Sequence, residues 1–171
     1  MSTYTDLRDW IAKVDSWGEL KRFQDVDWNL EMAGIGDLAY RKARGIRPAV
    51  LFDHIKGYPE NYRTLFNQLG SAKRLALTMG MRTDYSTMMD FVRGVREKTM
   101  DLRYIPPKTV QSGPVMENVV TGEGIDLYRF PVPFFHEKDG GRYFGTGHAV
   151  IMKDPESGWV NLGTYRMMVH D

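Results

Sequence analysis

Residues 158–171 read GWVNLGTYRMMVHD, and residues 145–154, just upstream, read GTGHAVIMKD. Both runs are rich in β-branched and aromatic residues. DPESG between them (154–158) has the composition of a hairpin loop, so the pair reads as two adjacent strands. Within the second strand Asn161 and Arg166 stand five positions apart. A regular strand sends side chains at odd spacing to opposite faces, so these two cannot meet one ligand unless the strand is disturbed. Gly163 lies between them. A glycine inside a strand marks a bulge or a close backbone approach, and one extra residue there brings Asn161 and Arg166 onto the same side. On the residues alone, the run is an amphipathic strand with a surface Asn and a surface Arg.

Working outward, VMENVV (115–120) is also β-like, and Pro106 and Pro107 mark a break before it. Upstream of that break the pattern changes. Leu7, Trp10, Ile11, Val14 and Trp17 recur at three- and four-residue spacings and Gly18 ends the run, which predicts a helix. Met32, Ile35, Leu38 and Ala39 predict a second over Glu31 to Arg44, broken by Gly45 and Pro48. AVLFD (49–53) and RTLFN (63–67) are short apolar runs between breakers and read as buried strands. Helical patterns return over Ser71–Met79 and Tyr85–Lys98. The expected fold class is α+β: an N-terminal α/β domain over 1–108 and a second, β-rich module over 109–171.

Composition narrows the function. At 171 residues, 42% hydrophobic and 26% charged, the chain has the make-up of an ordinary globular protein with a real core. Its 23 basic and 22 acidic side chains leave a formal charge of +1, so no global field recruits nucleic acid or an anionic membrane. The local basic cluster Arg41, Lys42, Arg44 and Arg47 is a solvated helix end. There is no cysteine, which excludes disulfide scaffolds, thiol nucleophiles and thiolate zinc sites. No apolar run is long enough to cross a bilayer, and the N-terminus lacks the pattern of a signal peptide, so a cytoplasmic protein is expected. Met79, Met81, Met88 and Met89 are expected to fill core gaps.

Familiar catalytic signatures are missing. His54, His136, His148 and His170 form no metal-binding pair at helical spacing, and a lone strand histidine is ordinarily structural. GSAKRLAL (70–77) lacks the P-loop pattern, the glycines of GTGHAV introduce no helix, and no serine sits in a nucleophile elbow.

Four segments together, LRDWIAKVDSWGELKRF (7–23), VLFDHIKGYP (50–59), NQLGSAKRLALTMG (67–80) and above all WVNLGTYRMMVHD (159–171), resemble the N-terminal part of the UbiD family of prenylated-flavin-dependent decarboxylases and carboxylases. The resemblance runs in order along nearly the whole chain, and the last segment is its most specific piece. It implies an N-terminal α/β domain leading into the first strands of a split β-barrel that binds prenylated FMN. It implies reversible, non-oxidative decarboxylation of aromatic or α,β-unsaturated acids, with CO2 as the other product. Asn161 resembles the family's ligand for Mn2+ or Mg2+ beside the flavin phosphate, and a neutral amide oxygen suits such hard ions. Thr146 and the backbone carbonyl of Trp159 resemble positions near a second, K+-like site. Arg166 resembles the arginine that engages the substrate carboxylate, for which its planar fork is matched. Leu162, Gly163, Thr164 and Tyr165 resemble the flavin-lining residues beside it. Tyr165 is equally well explained by core packing.

In that family the remaining metal ligands, a histidine and a glutamate, and the catalytic glutamates lie downstream of this motif. His170 and Asp171 are therefore not assigned catalytic roles. Residues 1–171 alone are expected to bind metal weakly or not at all, to retain no cofactor and to be inactive. An open barrel start is also expected to leave Val150, Met152, Leu162 and Met167 uncovered, so a homo-oligomer or association with the remaining C-terminal part is expected. The alternative from another class is a non-catalytic binding or assembly module. An ordinary FMN-binding split barrel, such as a flavin reductase, does not account for the resemblance through the N-terminal domain.

Overall fold

The run AVLF forms strand β2 (Ala49–Phe52), and all four of its residues are buried. A strand with no exposed face must be covered from both sides. The computed structural model, which describes residues 4–170, shows how this is done. Ala49 and Leu51 pack with Trp10, Ile11 and Val14 of helix α1 (Leu7–Ser16) and Leu77 of helix α3 (Ala72–Thr78). Val50 and Phe52 lie in a second cluster with Val26, Ile55 and Met32 of helix α2 (Glu31–Arg41). Strand β1 (Leu20–Phe23) pairs in parallel along one edge of β2, with Leu20 opposite Ala49. Strand β3 (Thr64–Phe66) pairs antiparallel along the other, with Val50 opposite Phe66. Helix α4 (Met88–Met100) joins α3 through Phe91, Ala76 and Met81. The architecture is α+β, as expected. Asp171 lies outside the described residues.

Local chemistry sets the helix ends. Asp6, Ser71 and Thr87 each cap a helix by accepting from the backbone N–H three residues on, at 2.9, 3.1 and 3.1 Å. Gly18 takes φ 71°, the left-handed conformation that stops α1. Ser71 also opens α3 so that Arg74 turns inward. The Arg74 side chain is fully buried, its Nη1 donates to Glu19 Oε2 at 2.8 Å, and Nε donates to the Gln68 carbonyl at 2.9 Å. Burial pushes this guanidinium below its ordinary value, against the pull of Glu19. GSAKRLAL is thus the seat of a buried ion pair.

Two expectations are corrected and one element is added. VMENVV is not a strand: Pro114–Met116 form a single 3-10 turn and the rest is irregular and exposed, with Pro114 immediately before it lacking a backbone N–H for a ladder and no described strand paired to it. Met88 and Met89 are 59% and 58% exposed at the start of α4, so of the four methionines only Met81 is truly buried. Strand β1, which sequence patterning does not predict, is four residues long. Its Lys21 and Arg22 face solvent, and Arg22 is held by Asp15 at 2.8 Å and Asp53 at 2.7 Å.

The β-rich module attaches through residues 131–142. Phe134 exchanges backbone hydrogen bonds with the segment before α2, donating to the Trp28 carbonyl at 3.1 Å and accepting from Leu30 at 3.0 Å. Arg142, 9% exposed, stacks over Trp28 at 3.8 Å and Tyr128 at 4.9 Å. It donates to the Val132 carbonyl and to the Tyr58 hydroxyl, each at 2.6 Å. This arginine anchors the base of a hairpin made by β4 (Tyr143–Lys153) and β5 (Val160–Met168), which pair antiparallel.

Candidate functional site

In the hairpin, Lys153 to His148 pair with Val160 to Tyr165 without a break. Gly163 therefore carries no bulge, and that expectation is corrected. The disturbance lies on the other strand: the register shifts between Tyr143 and Gly145 and again between Gly145 and His148. β5 itself stays regular, so Asn161 shares a face with Gly163 and Tyr165, and Arg166 falls on the other with Leu162 and Thr164. Arg166 lies between Tyr165 and Met167, directly across the ladder from the second bulge. Bulges bend a strand and increase its twist, and they re-aim side chains near functional sites.

What Gly163 does provide is space. A Cβ there would lie 2.7 Å from Tyr165 Cζ and 2.8 Å from its hydroxyl, so the phenol ring folds down over the glycine. Gly145 does the same on the neighbouring strand, where a Cβ would lie 3.0 Å from Cε1 and 3.1 Å from Cγ of His148. His148 and Tyr165 are cross-strand partners. Two flat rings thus lie over two glycines on the face that carries Asn161.

Polar groups here are left open. Among the described residues, neither the Asn161 amide nor the Arg166 guanidinium makes a side-chain hydrogen bond or ion pair, and both ring nitrogens of His148 are buried without a partner. Buried unsatisfied groups are rare enough in folded proteins to require a cause. Leu162 is 68% exposed, Trp159 65% and Tyr165 48%, and Thr164 and Arg166 are exposed as well. Met152 and Met167 are 52% and 47% exposed, whereas Val150 is half-buried.

Thr146 and Trp159 do not come together. Thr146 sits in the bulged base of β4 and Trp159 just before β5 at the tip, about 23 Å apart at roughly 3.3 Å per residue. The Trp159 carbonyl already accepts from the Asp154 N–H at 2.8 Å. In that loop Asp154 also accepts from the Ser157 hydroxyl and the Glu156 N–H, contacts that hold its carboxyl below the usual value. No group of three His, Cys, Asp or Glu able to hold a metal occurs among the described residues. A cleft of about 1140 Å³ opens elsewhere, between α1, β3 and residues 118–133. Arg8, Arg63, Arg129 and Phe144 line it, and none of the residues expected at the site does.

His148 is the residue that sequence reasoning set aside. Its signal was the Gly-x-Gly-His run, in which Gly145 leaves room for a ring to fold back.

Comparison with known proteins places these elements. Residues 11–92 match the model of the 3-octaprenyl-4-hydroxybenzoate carboxy-lyase N-terminal domain, and residues 108–171 match the Rift-related domain of the same enzyme family. The chain is 35% identical to pyrrole-2-carboxylic acid decarboxylase of Pseudomonas aeruginosa, over 97% of this chain and 34% of that protein. It is 33% identical to ferulic acid decarboxylase 1 of Candida dubliniensis, over 96% and 34%. Among solved structures, vanillic acid decarboxylase of Sedimentibacter hydroxybenzoicus superposes in its closed form with a TM-score of 0.79 at 31% identity, covering 100% of this chain and 36% of that one. Its open form gives 0.78, also at 31%. The chain spans about a third of the length of the relatives it matches. No described helix is long and apolar enough to cross a membrane.

Proposed function

This chain belongs to the UbiD carboxy-lyase family, and we propose on that premise that it supplies the N-terminal α+β unit and one wall of the active site of a reversible, non-oxidative decarboxylase of aromatic or α,β-unsaturated carboxylic acids. The observation that carries this proposal is Arg166. An exposed guanidinium with no carboxylate partner among the described residues stands opposite a strand bulge, in the module that matches the family's Rift-related domain. Arg166 binds the substrate carboxylate through paired N–H donors and fixes its orientation, which is where positioning lowers the barrier. It reaches the ligand around the edge of β5, which no other described strand pairs.

The residues fit a prenylated FMN on the opposite face, where Asn161, the Tyr165 ring on Gly163 and the unpartnered His148 combine a flat surface with open polar groups. Leu162 and Thr164 bound the same stretch of strand. When bound, that cofactor supplies the electron-accepting carbon that lets CO2 depart. Asn161 would offer one oxygen to a hard divalent ion such as Mn2+ or Mg2+, and one ligand does not make a site, so no step runs through the metal. For a K+-like site, the separation of Thr146 from Trp159 leaves each to act apart. Among the described residues no carboxylate is paired with Arg166, so no residue is assigned to return the proton.

The exposed apolar residues of the hairpin, Ile151, Leu162 and Met152 among them, support its being covered by further polypeptide, from its own chain or another copy. The test is a decarboxylation assay of protein expressed from the whole reading frame, reconstituted with prenylated FMN and given a panel of aromatic and alkenyl acids. Release of CO2 that Arg166→Ala abolishes, with none from residues 1–171 alone, is the expected result. Turnover by Arg166→Ala at the wild-type rate overturns it.

A further inference from the structure

His148 stands at the first regular pair after the second bulge in β4, opposite Tyr165. Its ring lies back on Gly145, in a space that exists only because residue 145 has no side chain. There both ring nitrogens are closed off from solvent and neither has a hydrogen-bond partner. A neutral imidazole carries one donor and one acceptor, so this resting position leaves both unpaired and costs the fold stability. A structural histidine is held by hydrogen bonds. This one is held by none, and rotation about its own Cα–Cβ bond is enough to lift it off the glycine.

The face on which it lies is the one that carries Asn161 and the Tyr165 ring. His148 is four residues from Met152, the cross-strand partner of Asn161. A ligand with its phosphate at Asn161, laid along this face over the flat ring of Tyr165, brings the polar edge of its own ring system to His148. We propose that His148 is a cofactor-contacting residue that exchanges its unpaired bed on Gly145 for a hydrogen bond to the bound flavin. The inference rests on the flavin site proposed above, and adds a residue to it.

Two measurements on protein from the whole reading frame test this together: FMN binding followed by flavin fluorescence, and thermal unfolding of the flavin-free protein. His148→Phe is expected to raise the flavin-free melting temperature by about 2–4 °C, because it removes an unpaired polar group from a buried place. It is also expected to weaken FMN binding by about tenfold, the worth of one hydrogen bond. His148→Gln, whose amide can still donate and accept, is expected to recover most of that affinity. Opposite movements of stability and affinity are what a purely structural histidine does not give. FMN bound equally well by wild type and His148→Phe overturns the role of His148 and leaves the flavin site standing. Failure of the wild-type protein to bind FMN overturns both.

Discussion

Replacing Arg142 by alanine is expected to detach the hairpin from the N-terminal domain without unfolding that domain. Nε and Nη2 make two charge-assisted hydrogen bonds of 2.6 Å, to the Val132 carbonyl and the Tyr58 hydroxyl, and the guanidinium lies 3.8 Å over Trp28. Hydrogen bonds to charged groups are worth about 1.5–3 kcal/mol each and a desolvated cation–π contact about 2 kcal/mol, so with partial resolvation of the freed groups the loss is about 3–5 kcal/mol. That is a large share of the roughly 5–15 kcal/mol that holds a domain together, and here it bears on a single junction. Arg142 is also bound to the hairpin it anchors, since its carbonyl accepts from the Val169 N–H at 2.8 Å and its neighbour Tyr143 donates to the Pro133 carbonyl at 2.9 Å. Hydrogen exchange read by mass spectrometry is the assay. Peptides over 143–169 are expected to lose protection by about two orders of magnitude or more, while those over 49–52 keep theirs. Arg142→Lys keeps the charge and loses the fork, so it is expected to fall between. Equal loss of protection in both regions, or no loss in the hairpin, refutes the junction as described.

Glu19→Ala leaves Arg74 buried with only carbonyl partners and is expected to cost about 3–5 kcal/mol in urea unfolding. Glu19→Met with Arg74→Met is expected to be close to neutral, and a single variant costing under about 1 kcal/mol contradicts the buried pair. Gly163→Ala puts a methyl group into the Tyr165 ring, so the ring must move. The near-ultraviolet circular dichroism of tyrosine should change, and in protein from the whole reading frame FMN retention should drop; unchanged spectra and retention count against the ring bed. Asp154 is held below its ordinary value of 3.8 by the Ser157 hydroxyl. Its depressed value means that its support of the hairpin loop is present above pH 3.8 and is lost as pH falls through the lower folded value. A carboxyl-carbon titration should place its midpoint below 3.8, and a midpoint at or above 3.8 contradicts the loop geometry.

Much of the N-terminal domain was legible because burial leaves a periodic trace. Trp10, Ile11 and Val14 mark one helix face, and the unbroken AVLF run marks a strand covered on both sides. Strand β1 left no such trace, because two of its four residues are charged and its place comes from pairing with β2, a contact distant in sequence. VMENVV differs for the opposite reason: β-branched residues favour a strand only where neighbours pack and pair with them, and no described strand pairs with this run. At the site, the glycine at 163 matters for its missing side chain and not for a bulge. Its missing side chain admits the Tyr165 ring, and the bulge that local sequence suggested at 163 lies across the ladder near Gly145 and Gly147. Register is a property of two strands, so one strand's sequence does not determine it. His148 leaves no trace in the sequence pattern, because an unpaired imidazole is visible only once its neighbours are placed.

The central claim is that Arg166 recognises a carboxylate, and binding tests it without requiring turnover. Protein from the whole reading frame, loaded with flavin, should bind an aromatic acid at least about tenfold more tightly than the same ring without its carboxyl group. Arg166→Ala should erase that preference and leave affinity for the decarboxylated ring unchanged. An acid preference that survives Arg166→Ala contradicts the assignment.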